Sequence, residues 1–365
     1  MTGITGDHGQ SAGVAQQLQP GDPRKVGPYW LLGRLGSGGM GEVFLARSPG
    51  GRLVAVKVVR AELAGLAEFR RRFAREVTAA QTVSGLFTAP VVDADVDAPV
   101  PWLATAYVPG PSLAEAITRH GPLPAPSVLA LAAGLAEGLG AIHAVGIVHR
   151  DLKPSNVLLA DDGPRIIDFG ISRAADATML TGMGVVFGSA AFMSPEQARG
   201  HRVGPPSDIF SLGAVLTFAA AGQGPFGTGS SNTLLYRVVF TPPDTGGLPA
   251  ELRPLVERCL AKDPEQRPGT DQLLAELNTS PPVAGWLPAP ITQAFPSHPP
   301  AEPGPAAPTA LDDPSATPAT QPAAPRTGVP DSKMPTGTPE DTPPPAAAGT
   351  EAPLLDPKTK SIWVR

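Results

Sequence analysis

Two short apolar runs joined by a turn predict a β-hairpin near the start of the chain. Residues 43–46 form one short apolar run, residues 49–51 supply a Pro-Gly-Gly turn, and residues 53–59 form a returning strand. Lys57 interrupts this strand on the face opposite its alternating valines. An edge-strand lysine that points to solvent is one interpretation. We favour the other, in which the lysine lies on an inward apolar face and needs a charged partner.

The rest of the pattern is helical. Apolar positions at helical spacing predict an amphipathic helix over about residues 67–84. Long apolar helices are expected over 125–145 and 207–221, the second ended by Gly222. Shorter amphipathic helices are predicted over the ranges 250–261 and 270–277. Neither long helix is predicted to span a membrane, because the first carries charge and the second is too short for about 20 residues of hydrocarbon.

Composition separates the two ends of the chain from its centre. Of the 46 prolines, 22 follow Asn278, where they are mixed with Ala, Thr and Gly. Such a segment buries too little apolar surface to offset the entropy of ordering, so residues 279–365 are predicted to be disordered. Residues 1–27, rich in Gly and Gln, are expected to behave in the same way. The folded part is then a single domain of about 250 residues.

A glycine-rich stretch precedes the hairpin strand at residue 43. Its glycines at 36, 38 and 41 also fit a dinucleotide-binding loop, but that loop opens a helix, and here a strand follows. No Walker lysine follows the glycines. The pattern therefore predicts a hairpin tip whose backbone N–H groups approach phosphates. The predicted nucleotide-binding residues of this tip are Leu35, Gly36, Ser37, Gly38, Gly39, Met40, Gly41, Glu42 and Val43.

Two further segments carry the chemistry. Asp151, Lys153 and Asn156 lie within six positions, and Asp168 follows twelve residues after the amide. Phosphoryl transfer from ATP uses this set: a carboxylate for the hydroxyl, a cation for the γ-phosphate and oxygen ligands for Mg²⁺. Taken singly, each of these residues could equally be an ordinary turn residue. Their combination with Lys57 indicates a kinase.

Lys57 requires a helical glutamate as its partner. Glu68 and Glu76 both lie on the helix predicted over 67–84. Glu68 falls in the first turn, where the helix dipole alone explains a carboxylate. We therefore predict that Glu76, near the inward face, pairs with Lys57.

Residues 29 to about 278 resemble a Hanks-type serine/threonine protein kinase. Within that family they are most similar to the bacterial members, particularly the actinobacterial ones. The motifs above carry the resemblance, together with Ser-Pro-Glu at 194–196, the helix start at 208–213 and Arg267. It implies an α+β, two-lobed protein-kinase fold. The kinase domain would span residues 28–278, with an N-lobe over about 28–108 and a C-lobe over about 109–278.

The resemblance also implies roles for the chemical residues. Asp151 would orient the acceptor hydroxyl and accept its proton, and Lys153 would contact the γ-phosphate. Asn156 and Asp168 would hold Mg²⁺, with Mn²⁺ as the alternative ion, and Lys57 would hold the α- and β-phosphates of ATP. The Asp-Leu-Lys-Pro form at 151–154 resembles serine/threonine rather than tyrosine kinases.

The adenine pocket is expected at the strand over 102–108. By resemblance, Thr105 would be the gatekeeper, and the backbone of Ala106 and Val108 would face the adenine edge. Family members often have Glu where Ala106 stands, but the contacts there are made by backbone. Ala55 and Leu158 would enclose the ring.

Structural and regulatory residues follow from the same resemblance. Glu196 and Arg267 would form a buried ion pair, and Asp208 would cap the backbone around Arg150. An activation-loop phosphate would pair with Arg150. Its predicted acceptors are Thr181, which we prefer, and Thr178; the alternative is that neither threonine is modified. Ser189 stands where the family usually has Thr and keeps the hydroxyl that would contact Asp151 and Lys153. Phe192 and Ala190 stand where Tyr and Pro are commoner, which bears on peptide preference rather than on the chemistry.

Two functions from other classes remain as alternatives. A pseudokinase would have lost Lys57, Asp151 or Asp168, and none is lost. A small-molecule phosphotransferase of related fold would lack the Ser-Pro-Glu segment and the long activation loop. The expected partners are therefore protein substrates with Ser or Thr acceptors, and the enzyme itself.

Charge and cysteine content exclude some other partners. The net charge of −5 argues against nucleic-acid binding. The single cysteine, Cys259, allows no internal disulfide, which is typical of a reducing compartment. With no export signal or predicted membrane span, we expect a cytoplasmic protein. The terminal residues 358–365 carry a tryptophan and are either a docking peptide for an unidentified partner or a frayed end.

Overall fold

The computed structural model describes residues 15–83, 85–168, 189–277 and 285–293. The α+β, two-lobed architecture predicted from the sequence is confirmed. An upper lobe is built on one sheet, and a lower lobe is built mainly from helices.

The upper sheet has six antiparallel strands in the order β1-β2-β3-β4-β6-β5. The predicted hairpin is its centre, with a turn at residues 48–52 in which Gly51 adopts a φ of 85°. The strands are β1 (Lys25–Val26), β2 (Tyr29–Gly38), β3 (Gly41–Arg47), β4 (Leu53–Val59), β5 (Val91–Asp95) and β6 (Trp102–Ala106).

Two apolar clusters cover the two faces of this sheet. Helix α1 (Ala61–Ala64) leads into α2 (Ala67–Thr82), which buries Phe69, Phe73 and Val77 against one face. On the other face, Phe44 packs with the valines of β4 and with Trp102. The alternation along β4 therefore places Lys57 on the side of the sheet that carries α2, as predicted.

The lower lobe is organised around two long apolar helices. One of them, α4 (Ala125–Ala144), is long and apolar enough to cross a membrane, and here it lies at the centre of the lobe, with Leu131, Leu135 and Ile142 fully buried. The lobe contains α3 (Leu113–His120), α4 (Ala125–Ala144), β7 (Val157–Ala160), β8 (Gly163–Ile166), α5 (Pro195–Ala198), α6 (Pro205–Ala221), α7 (Ser231–Phe240), α8 (Arg253–Cys259), α9 (Thr270–Leu277) and α10 (Ala289–Thr292).

The helix ends follow local chemistry. Ser112 and Glu115 form a capping box at the start of α3, which satisfies two backbone donors there. Gly222 ends helix α6, as predicted, and its φ of 76° forms a left-handed cap.

The prediction that residues 1–27 are disordered is wrong for residues 15–27. Gln16 pairs with Arg34 of β2, Asp22 forms an ion pair with the same arginine, and β1 pairs with β2. Composition misled here because a few hydrogen bonds to an existing sheet edge can order a segment that has no core of its own. Residues 1–14 lie outside the described part of the chain.

The prediction of disorder over 279–365 is likewise wrong for residues 285–293. Trp286, Leu287 and Ile291 are buried in the core of the lower lobe. The Trp286 indole N–H donates to the Ala160 carbonyl at 3.0 Å. Three apolar side chains and one buried hydrogen bond order this short segment despite its proline-rich surroundings. Residues 278–284 and 294–365, with the predicted docking peptide, lie outside the described residues.

Candidate active site

A short loop between α4 and β7 brings three of the predicted chemical residues together. The Lys153 Nζ lies 2.7 Å from Asp151 Oδ2. The Asn156 amide donates to Asp151 Oδ2 at 3.2 Å and to its carbonyl at 2.8 Å. Asn156 occupies a 3₁₀ turn, Pro154–Asn156, that leads directly into β7. The loop therefore holds an ammonium and an amide against the same carboxylate.

Asp208, at the start of α6, anchors this loop. Its fully buried carboxylate accepts hydrogen bonds from the backbone N–H groups of His149 and Arg150, each at 2.8 Å. Arg150 has a φ of 67°, which is costly for a residue with a side chain and persists only where partners fix it. The geometry expected for Asp208 is thus present. It sets the direction in which the next residue, Asp151, leaves the turn.

His149 joins the loop to the strand that follows. Its ring is fully buried, and burial lowers its pKa, so the ring is neutral at physiological pH. Nδ1 accepts from the Asp151 N–H at 3.2 Å, and Nε2 therefore donates to the Ile167 carbonyl at 3.1 Å. A single tautomer satisfies both contacts.

Asp168 lies next to this loop, just beyond β8. The Ile167 N–H donates to the Asn156 carbonyl at 3.0 Å, so the residues preceding Asp168 run beside the amide. Asp168 Oδ2 lies 3.1 Å from Lys57 Nζ, which joins the lower lobe to β4 of the upper lobe. The structure therefore brings Asp151, Asn156, Asp168 and Lys57 to one place between the lobes.

The predicted ion pair between Lys57 and Glu76 is wrong for this structure. Lys57 pairs with Asp168 instead, and Glu76 Oε2 is buried without a hydrogen bond from any described residue. Burial raises the pKa of Glu76 to about 7, against the opposing effect of nearby Arg150, Arg72, Arg75 and Lys57. Helical periodicity located Glu76 on the inward face of α2. Periodicity cannot show, however, whether Glu76 or Asp168 pairs with Lys57.

The glycine-rich turn joins β2 to β3. A Cβ built at Gly36 or Gly38 meets no atom within 4 Å, so the backbone there faces open space. Gly41 differs, because a Cβ there would lie 1.9 Å from the Val58 carbonyl oxygen. Close packing of β3 on β4 is therefore enough to explain Gly41.

Two predicted side chains of this turn have structural partners. Met40 is buried with the α2 face of the sheet, and Glu42 forms an ion pair with Arg34 at 3.0 Å. Leu35, Ser37 and Gly39 are exposed, and Val43 is half-buried. Any phosphate contact at Met40 or Glu42 would therefore come from the backbone.

The predicted adenine residues surround the connection between the lobes. Ala55 of β4 lies directly opposite Thr105 of β6. The Ala106 N–H donates to Pro90 at 2.9 Å, which leaves the carbonyl of Ala106 as its candidate adenine contact. Val108 is half-buried just past the end of β6, and Leu158 is the one half-buried residue of β7.

The predicted Glu196–Arg267 ion pair is present and bidentate, with distances of 2.7 and 2.9 Å. The Arg267 side chain is fully buried, and Ser207 also donates to Glu196. Burial alone would raise the pKa of Glu196, but the hydrogen bonds from Arg267 and Ser207 outweigh it and lower that pKa. The pair ties α5 to the segment that precedes α9.

Sequence reasoning missed two supports of the catalytic loop. His143 Nε2 lies 2.7 Å from Asp208 Oδ2, and the Gln197 amide donates to the Arg150 carbonyl at 2.7 Å. Each joins residues more than 40 positions apart, and no local pattern marks such a pairing. The predicted phosphorylation sites Thr178 and Thr181 lie outside the described residues.

A groove of about 560 Å³ lies on the sheet face opposite α2. Phe44, Val58 and Trp102 line it, and neither Lys57 nor Asp168 does. It is therefore separate from the place where the predicted chemical residues meet.

Comparison with known proteins gives a consistent result. A family model described as "protein kinase domain" matches residues 29–277. The chain is 55% identical over 275 residues to the probable serine/threonine-protein kinase PkwA of Thermomonospora curvata, which covers 75% of this chain and 37% of that protein. It is 52% identical over 285 residues to the serine/threonine-protein kinase AfsK of Streptomyces coelicolor, with 75% and 36% covered.

Among solved structures, the PknI kinase domain of Mycobacterium tuberculosis is similar, with a TM-score of 0.55 and 27% identity. The match covers 69% of this chain and 95% of that domain. The chain spans less than two-fifths of the length of PkwA and AfsK.

Proposed function

The chain belongs to the protein kinase family, within its bacterial Hanks-type serine/threonine branch, and on that premise we propose what it does. It transfers the γ-phosphate of ATP to serine and threonine hydroxyls of proteins, including its own, in bacterial signalling. It acts in the cytoplasm. One observation supports this above the others: Asp151, Lys153, Asn156, Asp168 and Lys57 meet between the two lobes.

A divalent metal fits the donors at this place. Asp168 offers a carboxylate, and Asn156 keeps its side-chain oxygen available because its nitrogen donates to Asp151. Among the described residues, no three His, Cys, Asp or Glu side chains cluster in a way that could hold a metal ion. Mg²⁺, which keeps waters and phosphate oxygens beside one or two protein ligands, suits so sparse a set, and Mn²⁺ would find the same donors. The bound metal would neutralise charge that develops on the phosphate oxygens.

The residues of the chain perform the remaining steps. Asp151 accepts the proton of the acceptor hydroxyl and orients its oxygen for in-line attack. Lys153, held 2.7 Å from that carboxylate, places a positive charge beside the transferred group. Lys57 supplies a second cation from the upper lobe. The exposed backbone at Gly36 and Gly38 lets N–H groups approach the phosphates.

Arg150 is suited to respond to phosphorylation. Its backbone is fixed by Asp208 and Gln197, while the residue itself is exposed. A phosphate on Thr181, or on Thr178, would form a charge-assisted pair with this guanidinium and thereby stabilise the active arrangement.

Transfer of label from γ-labelled ATP tests the proposed activity. The purified full-length chain, with Mg²⁺ and a mixture of Ser-, Thr- and Tyr-containing peptides, should label Ser and Thr. Asp151→Asn should lower the rate by about 10²–10⁴-fold, the usual contribution of a general base. Asp162→Asn is the matched control, because Asp162 is exposed and pairs with Arg165 at the surface.

Each other outcome rejects the proposal in a different way. Nucleotide binding without transfer would identify a pseudokinase. Label found in a small metabolite, with none in protein, would identify a small-molecule phosphotransferase. Equal rates for Asp151→Asn and the wild type would remove Asp151 from the mechanism.

A further inference from the structure

An N-terminal segment lies along the strand that leads into the glycine-rich turn. The Gln16 N–H donates to the Arg34 carbonyl at 2.8 Å, and the Arg34 N–H donates back to Gln16 at 2.7 Å. This pair of bonds adds a short antiparallel bridge to the edge of β2. The N-terminal partner of this bridge, Gln16, precedes the matched family model, which begins at residue 29.

Gly33 shows that the contact is close. A Cβ at this position would lie 2.6 Å from the Gln16 carbonyl oxygen and 2.8 Å from the Ala15 side chain. Any larger residue would therefore push the N-terminal segment away from β2. The glycine is explained by this approach, because its φ lies outside the left-handed region.

A network of charged side chains reinforces the bridge. Arg34 binds Asp22 through two nitrogens, with Nε at 2.7 Å from Oδ2, and binds Glu42 of β3 at 3.0 Å. The Asp22 side chain is 4% exposed and also accepts from the Gln19 N–H at 2.7 Å. The hydrogen bonds from Arg34 lower the pKa of Asp22 to about 2, so the carboxylate is charged at physiological pH. One guanidinium thus joins the N-terminal segment, β2 and β3.

The network lies at the base of the glycine-rich turn. The register of β2 against β3 shifts between Arg34 and Gly36, which weakens the ladder immediately before the turn. Glu42 follows the turn directly, so the Arg34–Glu42 contact spans the irregularity from one strand to the other. The Arg34 and Glu42 side chains therefore hold β2 and β3 together where the backbone hydrogen bonds between the two strands are interrupted.

We propose that residues 15–22 form a strap that positions the glycine-rich turn, with Asp22 and Arg34 as its positioning residues. The strap holds the two ends of the turn at a fixed separation. Its consequence for catalysis rests on the proposed function: backbone N–H groups of a fixed turn bind phosphates without first being ordered. Loss of the strap should weaken ATP binding more than it slows the chemical step.

Hydrogen exchange of the nucleotide-free, full-length protein tests the strap itself. Two variants disturb it by different means: Asp22→Ala removes the carboxylate, and Gly33→Ala introduces the clash with Gln16. Both should speed exchange of amides in residues 35–43 about tenfold, as expected for loss of a charge-assisted hydrogen bond, with α4 unchanged. Asp22→Glu should restore part of the protection. Glu276→Ala, which removes a surface carboxylate paired with Arg258, is the control.

The outcomes separate the strap from stability and from the proposed function. Unchanged exchange in residues 35–43, or faster exchange throughout both lobes, would overturn the proposal. In the kinetic arm, KM for ATP should rise several-fold while kcat changes less than twofold; a fall in kcat at constant KM would contradict the positioning role. If the wild type shows no transfer, the proposed function fails, while the exchange data still decide whether the strap exists.

Discussion

The Lys57 ammonium lies 3.1 Å from the Asp168 carboxylate and so connects the upper lobe to the end of the lower lobe's hairpin. The two groups proposed to contact phosphate and metal are thereby neutralised by each other in this structure. Glu76, predicted as the partner of Lys57, remains buried nearby with Oε2 unpaired among the described residues. Burial of the Glu76 carboxyl therefore lowers the stability of the fold by an amount that depends on pH.

Glu76→Gln should abolish a pH-dependent loss of stability. The pKa of Glu76 is raised from 4.5 to about 7 on folding, so between these values the folded chain holds a proton that the unfolded chain releases. The proton on Glu76 therefore stabilises the folded state fully below pH 4.5, and this stabilisation is lost as the pH rises through 7. Partial solvent access limits the effect to about 1–2 kcal/mol.

Denaturant unfolding from pH 5 to pH 8 measures this difference. The wild type should lose more stability over this range than Glu76→Gln does. Glu68→Gln, an exposed glutamate on the same helix, should keep the wild-type slope. Identical slopes for wild type and Glu76→Gln would show that Glu76 titrates normally.

His143→Ala should impair the catalytic loop without altering nucleotide affinity. Loss of the 2.7 Å contact removes the side-chain partner of the buried Asp208, which holds Arg150 at its unusual φ. We expect a destabilisation of about 1–2 kcal/mol and a several-fold lower kcat at unchanged KM for ATP. Steady-state kinetics with His120→Ala, an exposed histidine, as control checks this. A raised KM with normal kcat would argue against it.

Arg267→Met should be among the most destabilising single changes in the lower lobe. It leaves the Glu196 carboxylate buried without its bidentate partner, at a cost of about 3–5 kcal/mol. Replacing both residues by Met should recover much of that loss, because no charge is then left unpaired. Thermal unfolding of the single and double variants measures the difference.

The matched control for this pair is Arg258→Met. Its ion pair with Glu276 is exposed, so the loss should be below about 1 kcal/mol. If Arg267→Met cost no more than Arg258→Met, the buried pair would not have the stabilising role given to it here.

Trp286→Ala should destabilise the folded domain, although composition alone predicts that this domain ends at residue 278. The change removes a buried indole and its hydrogen bond to Ala160, at an expected cost of about 3–5 kcal/mol. Because β7 carries Leu158 and follows Asn156, the variant should also bind nucleotide less tightly. Trp30→Ala, at a 56% exposed tryptophan, is the control. Equal unfolding temperatures of the two variants would mean that Trp286 does not belong to the folded core.

Local patterns were sufficient for much of the fold. A short apolar run before a turn located β3, and period-two alternation located β4. Helical spacing located α2 and α9, a long apolar stretch located α4, and Gly222 correctly ended α6. These features depend on residues adjacent in sequence or one helical turn apart. The contacts among Asp151, Lys153 and Asn156 could also be expected, since five positions separate the outer two.

Partner choice and short packed segments could not be predicted. The sequence offered Glu68 and Glu76 as partners of Lys57, whereas the fold brings Asp168 to the lysine from 111 positions away. Trp286 lies in a proline-rich stretch whose average composition hides three buried apolar side chains. Gln16 meets Arg34 through a backbone bridge and Asp22 meets it through an ion pair, and no periodicity marks either contact. In each case the energy comes from contacts between distant elements rather than from the local sequence.

The proposed mechanism requires that Asp151, Lys57 and Asp168 surround one metal-bound nucleotide between the lobes. A crystal structure of the full chain with Mg²⁺ and a non-hydrolysable ATP analogue decides whether it does. We expect the triphosphate between the glycine-rich turn and Lys57, with the metal bonded to Asn156 and Asp168. A nucleotide bound elsewhere, such as in the groove beside Trp102, or a metal away from Asp168, would contradict it.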